Sequence, residues 1–215
     1  MPGEDMPPRF PYASLEDVPD DVREAILQVQ EKAGFVPNVY LLLARRPAEF
    51  RAFFAYHDAL MGDRDGSTLT KADREMVVTS ISGANNCTYC VVAHGALLRI
   101  YAKNPLLADQ VATNYRTADI TPRQQAMLDF AHRVNAHSDE VGDEDFAALA
   151  EHGFDAEDAW DIAAITALFG LSNRVASVTS LRPNPEFYLM GRVPKEKKQL
   201  LRQGKYWVII LIFQF

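Results

Sequence analysis

Cys87-Thr88-Tyr89-Cys90-Val91-Val92-Ala93-His94-Gly95-Ala96-Leu97-Leu98-Arg99-Ile100 holds the only two cysteines of the chain and aligns them with a histidine. From Thr88 the run contains no proline and is rich in Val, Ala and Leu, as a helix requires. A helix turns by about 100° per residue, so Cys87, Cys90 and His94 fall within about a third of its circumference. Two sulfurs one turn apart can close a short disulfide where local geometry lets them meet. An imidazole one turn beyond Cys90 can take a proton from a thiol. The stretch reads as a helical redox site.

Working outward, the same helical signature recurs. Asp20 or Asp21 is expected to cap a helix running to Lys32, closed by Gly34 with Pro37 beyond it. A second helix begins near Pro47 and carries Phe50, Phe53, Phe54, His57, Leu60 and Met61 at helical spacing. Thr70 caps a third, with Asp73 adding negative charge in its first turn; it passes Met76, Val77 and Ile81 and is expected to break at Gly83. Asn85-Asn86 is expected to cap the cysteine helix, placing Cys87 in its first turn, where free N–H groups favour a thiolate. The second half echoes the first. Thr121-Pro122 opens a helix, Asp143 to His152 forms a short one closed by Gly153, and Ala156 to Ala176 forms a long apolar one.

No stretch alternates with period two, so the fold class is all-α with a weak internal duplication. The organisation read from the sequence is an N-terminal arm at 1–19, a helical half at 20–116 with the cysteine site, a second half at 117–192 and a tail at 193–215. The apolar tail Tyr206-Trp207-Val208-Ile209-Ile210-Leu211-Ile212-Phe213 is too short to span a bilayer as a helix.

The chain has 215 residues, 24% charged, and a formal net charge of −7 without a basic block, which argues against nucleic acid as its partner. Its start shows neither the basic nor the apolar segment of a secretory signal, so a cytoplasmic location without membrane contact is expected. In that setting a close cysteine pair is redox-active or metal-binding rather than a scaffold disulfide. Zinc would find three ligands in Cys87, Cys90 and His94 and need a fourth from elsewhere, such as His57, His132, His137, His152 or a carboxylate. The plainest alternative is two small buried core residues. Glu75 lies twelve residues before Cys87 and reaches His94 only if the Gly83-Ala84-Asn85-Asn86 turn folds the preceding helix back. Tyr89 and the Phe50, Phe53, Phe54, Tyr56 cluster read as packing; Asn173 and Arg174 read as structural or interface residues.

Glu75 followed by Cys87-Thr88-Tyr89-Cys90-Val91-Val92-Ala93-His94, with Ser82-Gly83-Ala84-Asn85-Asn86 before it, resembles the signature of alkylhydroperoxidase AhpD-like proteins in the carboxymuconolactone decarboxylase superfamily. The stretch from Ala48 to Arg182, including Leu171-Ser172-Asn173-Arg174-Val175-Ala176, resembles the two-repeat branch of peroxidase-related proteins. The resemblance implies an all-helical oxidoreductase assembled as a trimer or hexamer, with no bound cofactor. It implies an antioxidant peroxidase in which Cys90 attacks a hydroperoxide, Cys87 resolves the sulfenic acid into a redox-active disulfide, and Glu75 and His94 relay protons. A dithiol partner, lipoyl-bearing or thioredoxin-like, would restore the thiols. Relatives carry a second histidine between the cysteines where this chain has Tyr89, which shortens the relay. Decarboxylase members lack the cysteine pair, so lactone decarboxylation is disfavoured. The competing expectations are a disulfide oxidoreductase with little peroxide activity and a non-enzymatic redox-sensing oligomer.

Overall fold

A computed structural model describes residues 9–192; the apolar tail and the first eight residues lie outside the described part. Among the described residues there are ten α-helices and no strand: α1 Asp20–Ala33, α2 Asn38–Ala44, α3 Pro47–Met61, α4 Lys71–Ala84, α5 Thr88–Tyr101, α6 Leu107–Asn114, α7 Pro122–His137, α8 Asp143–Glu151, α9 Ala156–Val178 and α10 Pro185–Leu189. The fold is all-α. No helix of the described residues is long and apolar enough to cross a membrane.

α4 is the central rod. Thr70 and Asp73 close a capping box at its start: Thr70 Oγ1 accepts from Asp73 N at 3.1 Å, and Asp73 Oδ2 accepts from Thr70 N at 3.1 Å. Every residue from Asp73 to Ser82 is buried, so the helix is wrapped by α5, α6, α7 and α9. Gly83 permits the close approach of α6, because a Cβ there would lie 2.2 Å from the carbonyl oxygen of Ala112 on that helix. One continuous core joins both halves of the sequence, with Met76, Val77 and Ile81 of α4 packed with Met127 and Leu128 of α7 and Ile162 and Ile165 of α9.

Several expectations need correction. α1 has Pro19 at its N-cap without a side-chain cap, and Asp20 and Asp21 sit in its first turn, where they complement the helix dipole instead. Gly34 does close α1 in the left-handed conformation, with φ 84°. Pro37, read as a stop, is the N-cap of α2. α4 runs past Gly83 to Ala84, since a glycine inside a helix weakens it but does not end it. The short helices α2, α6 and α10 were not separately expected. Thr121 forms the same capping box as Thr70, here with Gln124 and with Pro122 at the first helical position. The described part of the N-terminal arm lies across the body, Arg9 N donating to Thr179 O at 3.1 Å and Ala13 N to Leu41 O at 3.0 Å.

Candidate functional site

The α4–α5 turn builds the site. Asn85 is the C-cap of α4, and Asn86 takes a left-handed φ of 55°, which asparagine tolerates better than most residues. Cys87 N then donates to Ser82 O at 2.9 Å, locking the reversal. The asparagines therefore do not cap α5. Cys87 itself is the N-cap, its sulfur accepting from Cys90 N at 3.4 Å. The Asn85 side chain is spent elsewhere, donating to Asn135 Oδ1 at 3.0 Å and Asn173 Oδ1 at 2.9 Å.

Both cysteines are free thiols and both are buried. Their proton affinities are pulled apart. Cys87 is lowered from 9.0 to about 7, chiefly because the Cys90 thiol donates to it, with the Cys90 backbone N–H, the Asn173 amide and His94 also favouring the thiolate against burial. Cys90 is pushed well above the usual thiol range, first by its bond to the Cys87 sulfur and then by burial. The first proton thus leaves Cys87, while Cys90 keeps its own. Ser172 Oγ lies 3.9 Å from Cys90 Sγ.

The fold-back of α4 on α5 brings Glu75 to His94: the Glu75 carboxylate accepts from His94 Nδ1–H at 2.8 Å, and both side chains are largely buried. In a neutral ring this leaves Nε2 as the free lone pair. Phe169 of α9 packs edge-on against the imidazole, with ring centroids 4.7 Å apart. Sequence spacing alone showed neither of two further contributors. His57 of α3, earlier counted only as a conceivable metal ligand, sits with its ring centroid 6.4 Å from that of His94. Its Nδ1 binds Asp58 Oδ1 at 2.9 Å, and burial lowers its pKa below 6.5. Asn173, read as structural, places its amide at the thiols and also donates to Ser82 Oγ at 2.9 Å. For His57 the sequence signal was its place on a helix face; for Asn173 it was the Leu171-Ser172-Asn173-Arg174-Val175-Ala176 stretch, which resembles the family without assigning the residue a role.

Cys90, His94 and His57 line a cavity of about 220 Å³ whose other walls include Phe53, Phe54 and Phe169. Tyr89 is buried and its hydroxyl accepts from Val39 N at 3.3 Å, a fixed packing position. Among the described residues, no group of three or more His, Cys, Asp or Glu side chains is placed to hold a metal ion.

A comparison with curated proteins gives no match. Residues 47–133 match the carboxymuconolactone decarboxylase family. Among solved structures, the chain is similar to an alkylhydroperoxidase AhpD core, a peroxidase-related protein from Ralstonia eutropha JMP134, at 66% identity and TM-score 0.85, over 87% of this chain and 98% of that one. A peroxidase-related protein from Silicibacter sp. TM1040 matches at 38% identity and TM-score 0.82, over 89% of this chain and 100% of that one. The debrominase Bmp8, solved in complex with 2,3,4-tribromopyrrole, shares the fold at 21% identity and TM-score 0.65, over 82% of this chain and 91% of that one. On this matched stretch and these near full-length likenesses, the chain belongs to the carboxymuconolactone decarboxylase family, among its AhpD-like, peroxidase-related members.

Proposed function

We propose that this protein is a thiol peroxidase that reduces organic hydroperoxides through the Cys90/Cys87 couple. The observation that carries the reading is a buried thiol pair at a helix N-terminus, beside a Glu75–His94 dyad and an apolar cavity. Cys90 lines that cavity but holds the proton at rest. It becomes a nucleophile when the proton passes to Cys87 or to His94, whose ring Glu75 orients. The Cys90 sulfur attacks the terminal peroxide oxygen, the O–O bond breaks, and the alkoxide leaves as an alcohol with the relayed proton. His57, whose burial disfavours its charged form, offers a second imidazole to that transfer. The Cys87 thiolate then attacks the sulfenic sulfur of Cys90, and the hydroxide leaves as water, taking back from solvent a proton equal to the one Cys87 released on ionising. The sum is ROOH plus two thiols giving ROH, water and a disulfide, which a dithiol partner, lipoyl-bearing or thioredoxin-like, returns to thiols.

Assembly as a trimer or hexamer belongs to the same proposal. Trp160, Leu171 and Val178 stand exposed along α9, an apolar surface that supports it.

The test is mass spectrometry of the reduced protein after one equivalent of cumene hydroperoxide, followed by turnover with dithiothreitol. Rapid formation of a Cys87–Cys90 disulfide that recycles many times is the expected result. Consumption that stops after one equivalent, or a disulfide that forms only slowly, overturns it in favour of redox sensing or disulfide exchange.

A further inference from the structure

The two sulfurs line different hollows. Cys90 lines the aromatic cavity described above, whose rim includes Ala33 at the end of α1. Cys87 lines a second groove of about 280 Å³, formed by the start of α5, the last turn of α9 and the segment that follows it. Its walls are more polar than those of the other cavity: Asn86, Thr88, Ser177, Ser180 and Arg182 line it together with Tyr89, Ala176, Leu181 and Pro183. Among the described residues, Tyr89 alone lines both. It stands between the cysteines in sequence, is 5% exposed, and is pinned by the Val39 N–H on its hydroxyl, so it acts as a wall.

We propose that the two half-reactions use separate entrances: the hydroperoxide reaches Cys90 through the aromatic cavity, and a slender dithiol reductant reaches Cys87 through the polar groove. This rests on the peroxidase reading above and adds the binding site for the second substrate. The apolar cavity matches the organic part of a hydroperoxide, while the more polar groove suits a thiolate that must keep its charge until it reacts.

The thiol chemistry balances along this route, its first step relying on a proton delivered to Cys90. A reductant thiolate in the groove attacks Cys87 Sγ, the Cys87–Cys90 bond breaks, and Cys90 departs with its electron pair, taking a proton through His94. The second thiol of the reductant then attacks the reductant sulfur held on Cys87. Its own ring disulfide forms and Cys87 leaves as a thiolate. Cys87 is a good leaving group for this step, because its position at the start of α5 and its neighbours hold it near 7. Two electrons pass from the dithiol to the protein disulfide and no other reactant is required.

Thr88, Ser177 and Ala33 are all exposed, so each accepts a tryptophan without touching the core. Thr88→Trp and Ser177→Trp fill the groove; Ala33→Trp narrows the mouth of the aromatic cavity. Rapid mixing with cumene hydroperoxide reads disulfide formation, and mixing of diamide-oxidised protein with dithiothreitol reads reduction. The groove variants should slow reduction about tenfold while leaving disulfide formation within about twofold, and Ala33→Trp should do the reverse. Parallel changes in both half-reactions, or none in either, overturn the separate entrances. Wild-type protein that forms no disulfide with the hydroperoxide defeats the peroxidase reading instead, and the diamide-oxidised protein still tests the groove.

Discussion

At the scale of single residues, Cys87 is defined by what donates to it. Its largest stabilisation comes from the Cys90 thiol, ahead of the backbone N–H of the same residue. Alkylation of Cys87 by iodoacetamide should therefore rise through a midpoint near pH 7, the thiolate being lost as pH falls below it. In Cys90→Ala the largest donor is gone and the midpoint should climb back toward 9.0; a midpoint that stays put would mean the helix start alone sets the charge. His94 and Glu75 act one step later, on the proton of Cys90. His94→Ala and Glu75→Gln should each slow disulfide formation by hydroperoxide about 10²–10⁴-fold, while shifting the alkylation midpoint of Cys87 far less than Cys90→Ala does, His94 being the smallest of the influences on that thiolate. A rate unchanged in either variant removes that residue from the relay. Cys87, Cys90 and His94 could be grouped from the sequence because their relation is local, set by the helical repeat. His57 and Asn173 could not: α3 and α9 reach the thiols only through packing between helices, and a lone histidine or asparagine on a helix face carries no sign of that.

At the scale of elements, the sequence marks helix starts more clearly than helix ends. Thr70 and Thr121 announce α4 and α7 because each cap is a three-residue exchange of side-chain and backbone bonds, legible without tertiary context. The start of α5 misled because Asn85-Asn86 has the composition of a cap but serves as the reversal between two helices, with Cys87 taking the capping position. The five-residue α10 and seven-residue α2 are too short for an apolar period to emerge. Gly83 is the element-scale determinant of the site, since it sets how closely α4 passes α6 just before the turn to the cysteines. A Gly83→Ala methyl would lie 2.2 Å from the Ala112 carbonyl oxygen, and backbone on both sides cannot yield cheaply. The variant should lose about 1–3 kcal/mol in urea denaturation, in spite of alanine's better helix propensity. A gain in stability would show that α4 and α6 separate freely.

At the scale of the whole molecule, one buried polar network fastens the loop before α4 to α9, and so holds the two halves of the sequence in register around the site. Arg74 is 2% exposed and donates to Leu60 O at 2.7 Å, Ser67 Oγ at 2.9 Å and Asp161 Oδ2 at 3.0 Å. Arg64 adds a bond to Asp161 at 3.2 Å, and Asp158 accepts from Thr68 N at 2.9 Å and Thr68 Oγ1 at 2.6 Å. Asp161 is the only carboxylate paired with the Arg74 guanidinium among the described residues. Asp161→Ala therefore leaves a cation buried without its counter-charge and should cost about 3–5 kcal/mol, read as a lower denaturation midpoint. Arg74→Met combined with Asp161→Leu removes both charges and keeps much of the volume, so it should recover most of that loss. Because Glu75 follows Arg74 directly on α4, the comparison also separates stability from function. If the network only anchors the helix, the double variant regains both its midpoint and its rate of disulfide formation. If it regains the midpoint while the rate stays low, the charges themselves act on the Glu75–His94 dyad through α4.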